Sequence, residues 1–255
     1  MQLTALDDRN PRRVVLAPLT GADEAVVDGA SGPQAAIALL RRLAREADGA
    51  PLQVDALSVS QADRLLAALY GEIYDDRAEC RLRCRGCGEG YEFTLLLSEV
   101  MAAQDAERPG PADLDGCWTL PDDRRVRAPT LADLASAAGP QDLLERVVVE
   151  GDPQADAQAV TDFLERAAPV LSIDLDAACP HCARSEAVRF DLAQYLAARL
   201  AGERPFLIRE VHLIASRYGW SQGEIMALSR ADRRAFAGLI EAERASGQRA
   251  VRRAG

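Results

Sequence analysis

The chain has 255 residues, 48% of them hydrophobic and 27% charged, with a formal net charge of −10. That length supports one large domain or two small ones, and the acidic balance argues against a general phosphate-binding surface, which needs a basic excess. All 30 basic residues are Arg, which excludes a catalytic lysine, a Schiff base and a Walker-type phosphate loop. Aromatics make up only 5%, and the prominence of Ala and Leu favours helices over a β-sandwich.

The opening MQLTALDDRNPRR lacks a basic start followed by an apolar core, so no signal peptide is expected. The apolar runs are only a few residues long, far short of the roughly 20 that cross a bilayer. The expectation is a cytoplasmic protein, free or particle-associated, with no membrane partner. Six cysteines in a reducing compartment read as metal ligands or buried thiols before they read as disulfides.

Residues 1–33, punctuated by prolines and glycines, are expected to form a loosely structured arm with an edge strand at 14–16. Residues 34–47 place Ala36, Leu39, Leu40 and Leu43 at helical spacing with Arg41, Arg42 and Arg45 opposite. Gly49 and Pro51 end that helix, and Ser60 is expected to cap a second, bearing Leu65, Leu66, Leu69 and Ile73. Residues 78–84 and 90–96 alternate as strands do and flank Cys84-Arg-Gly-Cys87-Gly88. A short helix and then a Pro/Gly turn over 98–113, a strand around Trp118 and Leu120, and helices at 131–138, 140–150 and 155–168 follow. Strand signals return at 170–175 and 187–191, around Cys179-Pro-His-Cys182. The remainder reads as helices at 192–201, 205–217, 221–228 and 231–246, with a frayed end.

The strand–Cys-x-x-Cys–strand unit occurs twice. Two residues between cysteines let a tight turn aim both sulfurs at one point, with turn N–H groups donating to them. A structural zinc needs four ligands, and two such knuckles supply them, so Cys84, Cys87, Cys179 and Cys182 are the expected zinc set. Gly88 suits the left-handed conformation such turns need. The halves stand far apart in sequence, which implies a discontinuous antiparallel zinc ribbon around an insertion; loop closure costs grow only logarithmically with length. The alternatives are two unrelated turns or a redox pair. Cys80 reads as a buried thiol or a substitute ligand, Cys117 as core, and His181 as a further possible ligand. With four protein ligands the zinc is structural, not catalytic. The chain has only His181 and His212, and no HExxH or GxSxG. A non-enzymatic protein is expected.

At the C-terminal end, Leu207, Val211, Ile214 and Ala215 share a stripe, and Tyr218, Gly219 and Trp220 form a break. Ser221 and Glu224 make a capping box, Ile225 and Leu228 face inward, and Ser229 caps a last helix with Phe236, Leu239 and Ile240. Residues 230–255 carry seven Arg against three acidic residues. This segment looks superficially like a helix-turn-helix.

The run EVHLIASRYGWSQGEIMALSRADRR (210–234) resembles a motif of proteins encoded with contractile tails. These are the baseplate hub assembly (chaperone) proteins of T4-like phages and relatives in contractile injection gene clusters. The stretches LAPLTGADEAVV (16–27), LSVSQADRLLAALYGEIYDD (57–76), CRGCGEGYEFTL (84–95), LADLASAAGPQDLLERVVV (131–149) and CPHCARSEAVRFDL (179–192) resemble the same family in the same order. The paired Cys-x-x-Cys motifs match its zinc-ribbon-bearing members; Ala183 departs from the glycine more usual after the knuckle. The resemblance implies a non-enzymatic assembly factor or minor component of a contractile baseplate, partnered by baseplate or hub subunits.

The expected architecture is α+β and helix-dominated. An N-terminal arm with helices spans 1–76, the two ribbon halves 77–97 and 170–191, an inserted helical lobe 98–169, and a C-terminal helical segment 192–255. Val211, Tyr218, Trp220 and Ile225 are candidates for partner binding, with an internal core as their other reading. The alternative function is a zinc-ribbon nucleic-acid-binding regulator, against which the net charge stands. A thiol oxidoreductase is a third reading, in which one Cys-x-x-Cys carries a reactive cysteine.

Overall fold

The computed structural model describes residues 2–7, 10–27 and 33–254, with side chains described over 13–27 and 33–246. The fold is α+β, rich in helix with small antiparallel sheets. The first elements are β1 (Gln2–Asp7), β2 (Asn10–Leu16), α1 (Gly21–Val26), α2 (Pro33–Leu43) and β3 (Ala44–Glu46). A 3-10 turn (Val54–Ala56) leads to α3 (Val59–Tyr74), β4 (Arg77–Arg83), β5 (Gly90–Leu96) and α4 (Leu97–Ala106). Then come β6 (Cys117–Thr119), β7 (Arg125–Arg127), α5 (Leu131–Ser136), α6 (Pro140–Val147), β8 (Val148–Glu150) and α7 (Ala157–Ala167). The chain ends through β9 (Ser172–Ala178), β10 (Ser185–Asp191), α8 (Leu192–Gly202), α9 (Arg204–Tyr218), α10 (Gln222–Ala227) and α11 (Arg230–Ala254). The sheets are ordered β1-β2-β3, β4-β5, β6-β7-β8 and β10-β9.

Two compact units result, each discontinuous in sequence: Met1–Gln2, Val15–Arg45 and Ala193–Gly255 form one, and Leu3–Val14 with Glu46–Leu192 the other. In the first, α2 buries Ala35, Ala36, Leu39, Leu40 and Leu43, a stripe at helical spacing. The C-terminal helices close on Leu213, Ile214, Ile225, Ala237 and Ile240, with Val211, Trp220 and Phe236 packed against them. Gly219, at φ 72°, ends α9 in the left-handed conformation, and the expected Ser221–Glu224 capping box opens α10.

Residues 1–33 do not form a loose arm over the part described: they hold β1, β2 and α1. Thr20 explains α1. Its hydroxyl accepts from the Asp23 N–H while the Asp23 carboxylate accepts from the Thr20 N–H, a capping box written as Thr-x-x-Asp. Residues 28–32 of the expected arm lie outside the described residues.

In the second unit the cap of α3 is Ser58, not Ser60. Ser58 stands three residues before Gln61 in an extended conformation and completes a capping box with it, whereas Ser60 is buried within the helix. The expected helical insertion also contains the β6-β7-β8 sheet. Leu120, Val126, Val147, Val148 and Val160 form its core, with Trp118 and Phe163 against it. Hairpins β4-β5 and β9-β10 complete this unit, seven residues per strand. No helix of the described residues is long and apolar enough to cross a membrane.

Candidate metal centre

Each hairpin ends in a knuckle built the same way. In the first, the Cys84 N–H donates to Glu89 O at 2.9 Å and the Gly88 N–H to Cys84 O at 2.9 Å. In the second, the Cys179 N–H donates to Arg184 O at 2.9 Å and the Ala183 N–H to Cys179 O at 2.8 Å. The residue after each second cysteine is left-handed: Gly88 at φ 79° and Ala183 at φ 58°. Glycine carries no penalty there, while alanine must tolerate it.

The two knuckles meet. The sulfurs of Cys84, Cys87, Cys179 and Cys182 all lie within 4.8 Å of one another. Across the hairpins, Cys84 Sγ is 3.6 Å from Cys182 Sγ, and Cys87 Sγ is 3.8 Å from Cys179 Sγ. A tetrahedral ion with bonds of roughly 2.3 Å to thiolate spaces its sulfurs about 3.8 Å apart. The cluster is therefore sized for a metal ion of the zinc kind. Cys84 and Cys179 are buried, Cys87 and Cys182 exposed. Under them sits an apolar floor of Tyr91 and Ala177, flanked by Leu82, Phe93 and Val188.

The thiols do not titrate alike. The N–H groups of Cys87 and Gly86 draw the Cys84 thiol down to about 7. At Cys87 the Glu89 N–H also lowers the value, but desolvation and the neighbouring thiols outweigh it and push the group up to about 12. Cys182 is raised too: the Arg184 N–H lowers it, and the hydrogen bond with Cys84 and desolvation prevail. Without a cation, close thiols share their protons so that one thiolate forms at the expense of the others. A divalent ion removes that conflict.

Two residues that sequence reasoning passed over hold the knuckles in place. Glu186, on β10, accepts the Arg85 N–H at 2.7 Å and lies 3.9 Å from Cys84 Sγ. Tyr91, on β5, donates its hydroxyl to Ala177 O at 3.3 Å. Arg184 Cδ lies 2.8 Å from where a side chain on Gly86 would begin, so the exposed Arg184 chain lies across the first knuckle. The signal in the sequence was positional: Glu186 and Tyr91 stand four residues after the second cysteine of their own knuckles.

The other candidates fall outside the cluster. Cys80 is half-buried on β4, its thiol raised by desolvation, and Cys117 is buried on β6. His181 is exposed within its knuckle. Of the four partner-binding candidates, Ile225 is fully buried in the C-terminal core, and Val211 and Trp220 pack partly buried against it. Tyr218 is 41% exposed, its ring 5.4 Å from Trp220 and 5.9 Å from Phe236.

Fold and site together define an α+β protein with a four-cysteine cluster suited to a metal ion. Comparison with family models, with curated proteins and with solved structures gives no match.

Proposed function

We propose that the chain is a zinc-stabilised, non-enzymatic assembly factor or minor structural component of a contractile-tail or injection-system baseplate. The observation that carries the metal reading is the convergence of four sulfurs from two distant hairpins within 4.8 Å. Four thiolates satisfy zinc completely and leave no position for water or substrate, so the ion acts on folding and not on chemistry. The hairpins then form a discontinuous zinc ribbon. The assembly role is supported by six sequence segments that resemble the baseplate hub assembly proteins in the same order. Baseplate or hub subunits are the partners, met through the C-terminal helices, where Tyr218 offers an exposed aromatic edge. The net charge of −10 disfavours nucleic acid as the partner.

The test has two arms. Metal content of the purified chain is expected at one zinc per molecule, lost with cooperative melting in Cys84→Ser/Cys179→Ser. Capture of hub subunits by the zinc-loaded chain is expected, and Tyr218→Ser weakens it under conditions where the melt shows the variant still folded. A metal-free chain with four freely titrating thiols overturns the first arm. Salt-sensitive DNA binding with no capture of hub subunits overturns the second.

A further inference from the structure

The two hairpins agree in more than their knuckles. A constant offset of 95 residues carries Cys84 to Cys179, Cys87 to Cys182 and Gly88 to Ala183. It carries the whole strand register as well: Arg77 pairs with Leu96 and Arg83 with Gly90, as Ser172 pairs with Asp191 and Ala178 with Ser185. The Leu97 N–H donates to Asp76 O as the Leu192 N–H donates to Leu171 O. Each hairpin runs straight into a helix, α4 or α8, and each follows one, α3 or α7.

The likeness extends upstream. Ala17-Pro18-Leu19-Thr20-Gly21-Ala22-Asp23 is echoed by Ala128-Pro129-Thr130-Leu131-Ala132-Asp133, and Gly32-Pro33-Gln34 by Gly139-Pro140-Gln141. Thr20 and Thr130 both cap their helices through an aspartate three residues on, and an arginine pairs with each aspartate, Arg42 with Asp23 and Arg127 with Asp133. The three-stranded sheets have the same order, β1-β2-β3 and β6-β7-β8. Even the helix seated on each module is equivalent. Thr130 bridges to Ser58 with the Val59 N–H donating to Pro129 O; Thr20 bridges to Ser229 with the Arg230 N–H donating to Leu19 O.

We infer that residues 1–106 and 117–202 are two copies of one repeat, and that the four-cysteine centre is the seam between them. Each copy contributes one knuckle and one residue that positions the other copy. Glu186 and Tyr91 are counterparts at the same offset of 95, and both bond across the seam. Glu186 of the second copy takes the Arg85 N–H of the first copy's knuckle, and Tyr91 of the first copy bonds Ala177 on the strand entering the second copy's knuckle. The copies have diverged in a complementary way. The counterpart of Arg85 is Pro180, which has no N–H to offer, and the residue at the Glu186 position of the opposing copy is Tyr91, which needs none. Glu186 and Tyr91 are therefore positioning residues that orient thiolates from outside the ligand set. This inference deepens the zinc reading above and rests on it.

The experiment is competition of zinc and cobalt binding in the full chain carrying Arg85→Pro, Glu186→Gln, Arg85→Pro/Glu186→Tyr, Tyr91→Phe or Pro180→Arg. Proline fits position 85 because Pro180 occupies the equivalent place, so Arg85→Pro folds but removes the one short bond of Glu186 across the seam, leaving it the longer approaches of Arg184 and Cys84 at 3.9 Å; metal affinity falls at least tenfold, the usual effect of losing such support. The double substitution places at this side of the seam the proline–tyrosine pair that Pro180 and Tyr91 form at the other, and recovers affinity to within threefold of the parent. Glu186→Gln keeps the acceptor and Pro180→Arg adds a donor that nothing requires, so both stay within threefold. Tyr91→Phe falls between. Arg85→Pro without effect, or a double variant no better than the single, overturns the seam. A parent chain that takes up neither metal overturns the zinc reading instead. In that case the urea midpoints of the same variants in chelator read the seam, with Arg85→Pro lowest and the double variant restored.

Discussion

Ala183 sits at φ 58° where the first knuckle has Gly88 at φ 79°. A Cβ in that region costs roughly 1 kcal/mol, against which a glycine gains freedom in the unfolded chain. Ala183→Gly is expected to stabilise the metal-loaded protein by about 0.5 kcal/mol, and Gly88→Ala to destabilise it by about 1 kcal/mol, read as shifts in denaturation midpoint. Asp63 is a second residue whose environment dominates. It lies half-buried on α3 and accepts the Leu171 N–H at 2.6 Å. Desolvation raises its pKa from 3.8 to about 7, against the lowering effect of that hydrogen bond and with help from Asp191. A carboxyl raised in the folded state favours folding below its unfolded pKa, and that contribution is lost as pH climbs through about 7. Asp63→Asn keeps an acceptor for Leu171 and carries no charge. It is expected to match the parent near pH 4 and to exceed it by about 2 kcal/mol at pH 8, in urea melts across that range.

At the scale of elements, short polar signals decide where helices begin. The boxes at Thr20, Ser58, Thr130 and Ser221 open α1, α3, α5 and α10. Thr130→Ala is expected to cost about 1 kcal/mol, and more if Arg127 loses its orientation toward Asp133. α1 is held by charge as well. Glu24, whose side chain is 5% exposed, accepts from Arg230 at 2.6 Å and from Arg233 at 2.5 Å; Arg233 reaches Glu210 on α9 at 2.7 Å. Gly21 leaves the room this requires, since Arg233 Nη1 lies 2.9 Å from where its Cβ would be. Removing one partner of a buried pair strands the other, so Glu24→Ala is expected to lower stability by about 3 kcal/mol. Substituting Glu24, Arg230 and Arg233 together with apolar residues is expected to cost less than that single change, because the two acids left behind, Glu203 and Glu210, are less buried and keep Arg234 as a partner.

Across the whole molecule, metal is expected to govern stability. Binding to the folded chain alone raises stability with the logarithm of the ratio of free metal to its dissociation constant, and chelation at neutral pH is expected to lower the melting temperature by about 10 °C, with recovery on adding zinc back. Differential scanning calorimetry with and without chelator measures it. Much of this arrangement was legible beforehand. The knuckles are local: two cysteines, a left-handed position and alternating strands fit within a dozen residues, so spacing alone identifies them. The helices from 192 onward were equally plain, because amphipathic stripes and caps repeat over several turns. Less legible was the stretch before Gly21, where prolines suggested an arm and short strands formed instead. Of the β6-β7-β8 sheet, only the strand around Trp118 is legible in the sequence; β7 and β8 are not, because three-residue strands carry almost no periodicity and only pairing with distant partners stabilises them. Ser60 was mistaken for a cap because serine's preference for that place does not say which of two serines stands three residues before its partner.

By itself the sequence determined the four clustered cysteines, the caps at Ser221 and Ser229 and the apolar stripes, since each rests on contacts within a few residues. The tertiary structure alone decided that sulfurs 92 residues apart lie 3.8 Å from each other, that Glu186 and Tyr91 bond across the junction, and that Glu24 and Arg233 can be buried. Those facts depend on contacts between segments remote in the chain. No local preference encodes such contacts; they form only when hairpins and helices pack together and make a charge, a thiol or a bare N–H meet its complement.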